Sequence, residues 1–213
     1  MVYELAKIIW TSLRVSGLAT VLAGVVAVPI ALLLASVEFK GKRILVLIIQ
    51  TLMATPTVVI GLILYFLLNR SGPLGRFGLL FTPTAMTIGE MILILPIIIG
   101  FSYGALRQVD ERVKLTAKSL GASSFQLSWL ILSEARLPLI IAVLAGFARA
   151  ISEVGIAMMV GGNIKGYTRN ITTTIALESS KGEFELALIL GLVLLALTLG
   201  VNLFVNLSFR GER

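Results

Sequence analysis

The chain has 213 residues, 57% of them hydrophobic and 14% charged, with a formal net charge of +7 and a mean hydropathy of +1.00. Soluble domains are about half apolar and about a quarter charged, so this composition excludes an ordinary soluble domain and points to a membrane protein. Cysteine and histidine are absent, which excludes disulfides, thiolate chemistry, histidine general bases and the commonest zinc ligands.

In chain order, residues 15–37 form the first apolar run; it lacks ionisable residues and is long enough to cross about 30 Å of hydrocarbon as a helix. The run exceeds a signal-peptide core and no persuasive cleavage site accompanies it, so it is expected to be retained, with the mature chain starting near Met1. The charged link "EFKGKR" ends it, and residues 44–69 form a second span closed by the Gly/Pro loop "NRSGPLGRFG". A third span, residues 83–106, contains Glu90. A fourth, residues 137–160, contains Arg149 and Glu153. Residues 161–183 are too polar to cross lipid, and residues 186–209 make the fifth span. The expected fold is therefore all-α and integral to the membrane, with five transmembrane helices in one domain, residues 1–213. Pro29, Pro56 and Pro96 fall inside the first three spans, where a missing N–H bends a helix; such bends suit a pathway and plain structure equally.

The basic residues are spread over every loop with no stripe interleaved with aromatics, which argues against nucleic acid. With the segment after the third span inside, the inside loops hold Lys40, Lys42, Arg43, Arg107, Arg112, Lys114, Lys118, Arg136, Arg210 and Arg213. The opposite side holds Lys7, Arg70, Arg76, Lys165, Arg169 and Lys181. Cations crowd the cytoplasmic face of membrane proteins, so this balance places the amino terminus outside and the carboxyl terminus inside.

One charged segment, about residues 108–136, interrupts the apolar spans. Val109, Val113, Ala117 and Leu120 recur at helical spacing among Asp110, Glu111, Arg112, Lys114 and Lys118, which predicts a short amphipathic helix. Gly121 stands where a helix ends in positive φ, and Ser123 with Gln126 forms a capping-box pattern opening a second helix through Phe125 and Trp129. The pattern fits either a loop lying on lipid headgroups or a docking element.

Within it, "LTAKSLGASSFQLSWLI" resembles the cytoplasmic signature of binding-protein-dependent ABC importer permeases: Glu-Ala-Ala, three residues, Gly, nine residues, Ile-x-Leu-Pro. Ala117, Gly121 and Ile131 are in register, while Leu115-Thr116 replace Glu-Ala and Ser133-Glu134 replace Leu-Pro. The stretches "ATPTVVIGLILYFLL" and "GFARAISEVGIAMMVGGNIKGYTRNITTTIALE" look like the molybdate and tungstate permeases, and "SEARLP" with "ISEVGIAMMVGGNIKG" resembles the tungstate branch.

The resemblance implies a type I ABC importer permease fold in a prokaryotic cytoplasmic membrane. It also implies a homodimer enclosing the path, two cytoplasmic ATPase subunits and an extracytoplasmic oxyanion-binding protein. The coupling contacts would be Thr116, Ala117, Lys118, Gly121, Ala122, Ser123 and Ser124, with ATP and Mg on the partner ATPase and no cofactor on this chain. Independently, no G-x-x-x-x-G-K-[ST] occurs, so the usual phosphate loop is absent and a separate motor is required.

Arg149 and Glu153 are four residues apart, with Ser152 beside them. An ion at mid-membrane costs about 2.5–3.5 kcal/mol on insertion scales, so the pair is expected to face protein or a wet cavity. These three residues are either waypoints for an oxyanion or a structural clasp. Lys165 and Arg169 lie in the polar exterior segment, which reads as a solvated loop or as the landing surface for a binding protein. Glu90 has no charged neighbour in sequence. No catalytic residue and no metal site are expected, because the serines lack a histidine base and no ligand cluster occurs. Besides a tungstate importer, a molybdate or sulfate permease and a proton-coupled transporter using Glu90 and Glu153 stay open.

Overall fold

The computed structural model describes residues 2–208; Arg210, Arg213 and the end of the fifth expected span lie outside them. Among the described residues every regular element is helical.

Helix α1 (Val2–Ser36) begins well before the apolar run and is about 52 Å long at 1.5 Å per residue, more than a bilayer core requires. Its inner stripe is Val15, Ala19, Ala23, Ala27, Ala31 and Leu34, all at 5% exposure or less. A residue every fourth position follows one face of a helix, and alanine lets two backbones approach, so α1 lies closely along α4 (Pro83–Arg107). Helix α4 is the centre of the bundle: Thr82 caps it by accepting from the Ala85 N–H at 3.2 Å, and Pro83 takes the first turn, where no N–H is needed. Pro96 sits inside α4 without ending it.

The second expected span is broken. Helices α2 (Lys42–Met53) and α3 (Thr57–Leu68) meet at 96°. Pro56 cannot donate to the helix and disfavours helical backbone at Thr55; it stands extended as the cap of α3. Past the corner α3 packs on α8 (Gly155–Gly161), where Gly61 permits the approach: a Cβ there would lie 3.1 Å from the Met159 Cβ and 3.3 Å from the Ile156 Cα.

Helices α5 (Glu111–Ser119) and α6 (Ser124–Glu134) form the interrupting pair, and α6 runs into α7 (Arg136–Ile151) through a 68° bend at Ala135. The fourth expected span, residues 137–160, is also not continuous: α7 stops at Ile151 and α8 (Gly155–Gly161) follows a break. Next come α9 (Ile171–Lys181) and α10 (Phe184–Ser208). Helix α10 packs chiefly on α9 and leaves Leu188, Leu192, Leu195 and Leu199 exposed, the pattern of a helix against lipid or a second subunit.

Among the described residues α1, α4 and α10 are each long and apolar enough to cross a membrane; counting α2 with α3 and α6 with α7 as bent spans gives up to five.

Candidate functional site

The projecting pair α5–α6 is built by local rules. The Asp110 carboxylate accepts from the Arg112 N–H at 2.8 Å and starts α5. At its end Gly121 has φ +80°, its N–H donates to the Lys118 carbonyl at 3.0 Å, and the Ala122 N–H reaches back to the Ala117 carbonyl at 3.0 Å. Those two bonds satisfy carbonyls that a helix end would otherwise orphan. Two residues on, the Ser123 N–H donates to the Gln126 Oε1 at 2.8 Å and the Gln126 N–H to the Ser123 Oγ at 3.3 Å, the reciprocal box expected from sequence.

The expected apolar stripe is only partly formed. Val113 and Ala117 are half-buried, but Val109 precedes the helix and Leu120 follows it, 81% exposed. Thr116, Lys118, Ser123 and Ser124 are exposed and Ala122 half-buried. Leu115, Phe125 and Trp129 are also exposed, so the pair carries large apolar side chains with nothing over them.

A second constellation lies at the break between α7 and α8. Arg149 donates from Nη1 to the Glu153 Oε2 at 2.8 Å, although the helix that was to place them ends between them. The other Glu153 oxygen accepts from the Ile156 N–H at 3.0 Å, so one carboxylate both pairs with arginine and caps α8. The Thr172 hydroxyl, from α9, donates to the Glu153 carbonyl at 2.6 Å. Glu153 is 2% exposed and the Arg149 side chain 36%. Ser152 turns back onto its own helix, donating to the Ala148 and Arg149 carbonyls.

The segment at 161–183 is only in part a solvated loop: Gly162 and Ile164 to Tyr167 are exposed, whereas the chain from Thr168 to Thr174 turns inward. Thr168, Asn170, Thr172, Thr173 and Thr174 are buried, and their polar atoms are satisfied locally. The Thr168 hydroxyl donates to the Gly161 carbonyl and accepts from the Ile164 N–H, and Asn170 with Thr173 makes a capping box for α9. The Ile171 N–H donates to the Ser12 hydroxyl of α1 at 2.8 Å. At the surface, Lys165 pairs with Glu4 at 2.5 Å, and Arg169 donates to the Asn163 side chain at 3.2 Å. Lys7 joins them around a small cleft. Neither Glu4 nor Lys7 was recognisable as a neighbour from sequence, because they are some 160 positions away in the chain.

Glu90 is fully buried in α4 near Ser16 and Glu153, and among the described residues neither of its oxygens, nor the Ser102 hydroxyl, has a partner in hydrogen-bond geometry. Among the described residues no group of three or more potential ligands is placed to hold a metal.

Residues 27–212 match the family described as "Binding-protein-dependent transport system inner membrane component". The chain is 41% identical over 199 residues to a tungstate uptake system permease protein of Peptoclostridium acidaminophilum, covering 93% of this chain and 87% of the relative. It is 42% identical to a probable anion ABC transporter permease protein of Haloferax volcanii, covering 93% and 88%. A molybdenum transport system permease protein of Azotobacter vinelandii is 29% identical, covering 81% and 80%. In fold, the chain matches the crystal structure of an amino acid ABC transporter with histidines at a TM-score of 0.71 and 19% identity, over 98% of this chain and 94% of that one. The chain thus belongs to the binding-protein-dependent transport system inner membrane components, as an ABC permease subunit, not itself catalytic, grouped with the permeases named for tungstate, molybdenum and sulfate.

Proposed function

We propose that this chain is the membrane permease of an ATP-driven importer for tungstate, working as a homodimer with two cytoplasmic ATPase subunits and an external oxyanion-binding protein. The observation that carries the reading is the α5–α6 pair: a rigid, doubly capped unit that presents Leu115, Leu120, Phe125 and Trp129 uncovered. Several large apolar side chains left uncovered on one short helical unit support an association surface there. The ATPase contacts are Thr116, Ala117, Lys118, Gly121, Ala122, Ser123 and Ser124, within a coupling segment of about residues 108–136. ATP and Mg belong to the partner.

In this reading the chain makes five spans with the amino terminus outside, the α5–α6 pair inside and Lys165 with Arg169 outside, where they receive the loaded binding protein; the balance of basic residues supports that orientation. Two relatives named as tungstate permeases, at 41% and 44% identity, support tungstate. Moving a dianion into a cell that is negative inside costs roughly 4.6 kcal/mol per 100 mV, which calls for an energy source.

Arg149, Ser152 and Glu153 are read as a clasp at the helix break. Both carboxylate oxygens of Glu153 are engaged and its charge cancels that of Arg149, leaving little field for a dianion.

The test is uptake into vesicles holding permease, ATPase and binding protein. ATP-dependent tungstate accumulation that excess molybdate and sulfate compete for only weakly is expected. Equal competition by molybdate removes the substrate assignment, and tungstate uptake by this chain without an ATPase removes the mechanism.

A further inference from the structure

We propose that the groove where α2 begins and α4 ends binds the phosphate headgroup of an anionic phospholipid. The groove is an open cavity of about 740 Å³, bounded by Glu38, Lys42, Arg43, Tyr103 and Arg107 at one end and by Val46 and Leu47 beyond them. Its charge is uneven. Lys42 is 8% exposed and already spent: its Nζ donates to the Glu38 carboxylate at 2.7 Å and to the Val37 carbonyl at 3.1 Å. Both Lys42 and Arg107 lie over the Tyr103 ring, at 5.9 and 5.8 Å from its centroid. Arg43 and Arg107 remain, both exposed, and among the described residues neither has a carboxylate partner. Two unpaired guanidinium groups on one cavity form a fork for phosphate oxygens, and the ring under Arg107 fixes one tine.

Position selects the lipid over a soluble phosphate. The groove lies at the ends of α1 and α4, both of which are long enough to span hydrocarbon, hence at headgroup depth. Along α2 from Arg43 the wall continues as Val46 and Leu47, the latter 61% exposed, and the same helix carries Ile44 and Ile48 outside the cavity, 64% and 48% exposed. A phospholipid fills both parts, with phosphate on the cations and a chain along α2; a free phosphate leaves the apolar wall bare. Basic pockets between membrane helices are where anionic headgroups bind.

Full-length permease in detergent, titrated with phosphatidylglycerol or with phosphatidylcholine of the same chains, tests this by native mass spectrometry and thermal midpoint. Saturable phosphatidylglycerol binding with a raised midpoint is expected. The Arg43→Gln/Arg107→Gln variant should bind it about thirtyfold more weakly, at roughly a tenfold-or-less loss per cation. Arg70→Gln/Arg76→Gln, which removes the same charge from another loop, should bind as wild type. Equal weakening in both variants means diffuse attraction only and overturns the site. An equal midpoint shift from soluble glycerol phosphate means a free phosphate ester occupies it and overturns the lipid.

Discussion

Glu153 holds one arginine and one helix terminus at once, so the consequences of breaking its pair are unequal. Arg149→Ala strands a carboxylate that is 2% exposed, at a cost of about 3–5 kcal/mol, while Glu153→Gln strands an arginine that still reaches solvent and should cost less, about 1–3 kcal/mol. The joint replacement Arg149→Met/Glu153→Gln is expected to recover much of the loss, because no lone charge remains. Thermal midpoints of the three variants in detergent check the order. A full-strength midpoint in Arg149→Ala together with lost uptake would instead make the arginine a waypoint.

At Gly121, φ +80° is the left-handed region, so Gly121→Ala should cost about 1–2 kcal/mol at the turn and lower ATPase stimulation in the assembled transporter. Ser123→Ala should cost about 1 kcal/mol through the lost cap, read as faster hydrogen exchange in α6. These positions were legible because caps and i,i+4 pairs are local. The Glu4–Lys165 pair and the Ser12–Ile171 bond were not, since only the tertiary fold joins them.

Helices obey a different logic, in which the partner's shape decides. The alanine stripe of α1 has room for little else against α4: Ala23→Leu or Ala27→Leu should destabilise by about 1–3 kcal/mol through overpacking, whereas Val25→Leu on the 69% exposed face should be neutral. Midpoints and expression level of the two classes check it. Pro56 told of a bend in the second span but not of a 96° corner, because the angle is fixed by what α3 meets at Gly61, namely α8. The stop at Ile151 had no such marker; it rests on the Glu153 carboxylate capping α8 and on Thr172 arriving from α9. Hydropathy likewise read 161–183 as exposed, since it scores threonine and asparagine as polar without knowing that they cap and bond one another.

On the scale of the whole molecule, membrane character and helical class were written in composition, and the family in the 115–131 motif together with the stretches at 54–68 and 146–178; the match to a transporter of 19% identity at a TM-score of 0.71 agrees with that fold. Orientation is open to a direct measurement, because the chain contains no native cysteine. Ser180→Cys, exposed at the end of α9, should react with a membrane-impermeant maleimide in intact cells; Ser119→Cys, exposed at the end of α5, should react only after lysis. The reverse result inverts the topology and removes the ATPase from the α5–α6 pair.

Only Ala135, 2% exposed, separates α6 from α7. Helix α7 is a 16-residue rod, about 24 Å long. The two helices make a crank with its elbow in the core and its far end at Ile151, against the gap before α8. A subunit that rocks α6 by about 10° swings that end by about 4 Å if the elbow stays stiff. Such a throw would exceed the reach of a hydrogen bond, so in the proposed orientation a modest push on α6 would unlatch the far end without any helix having to melt.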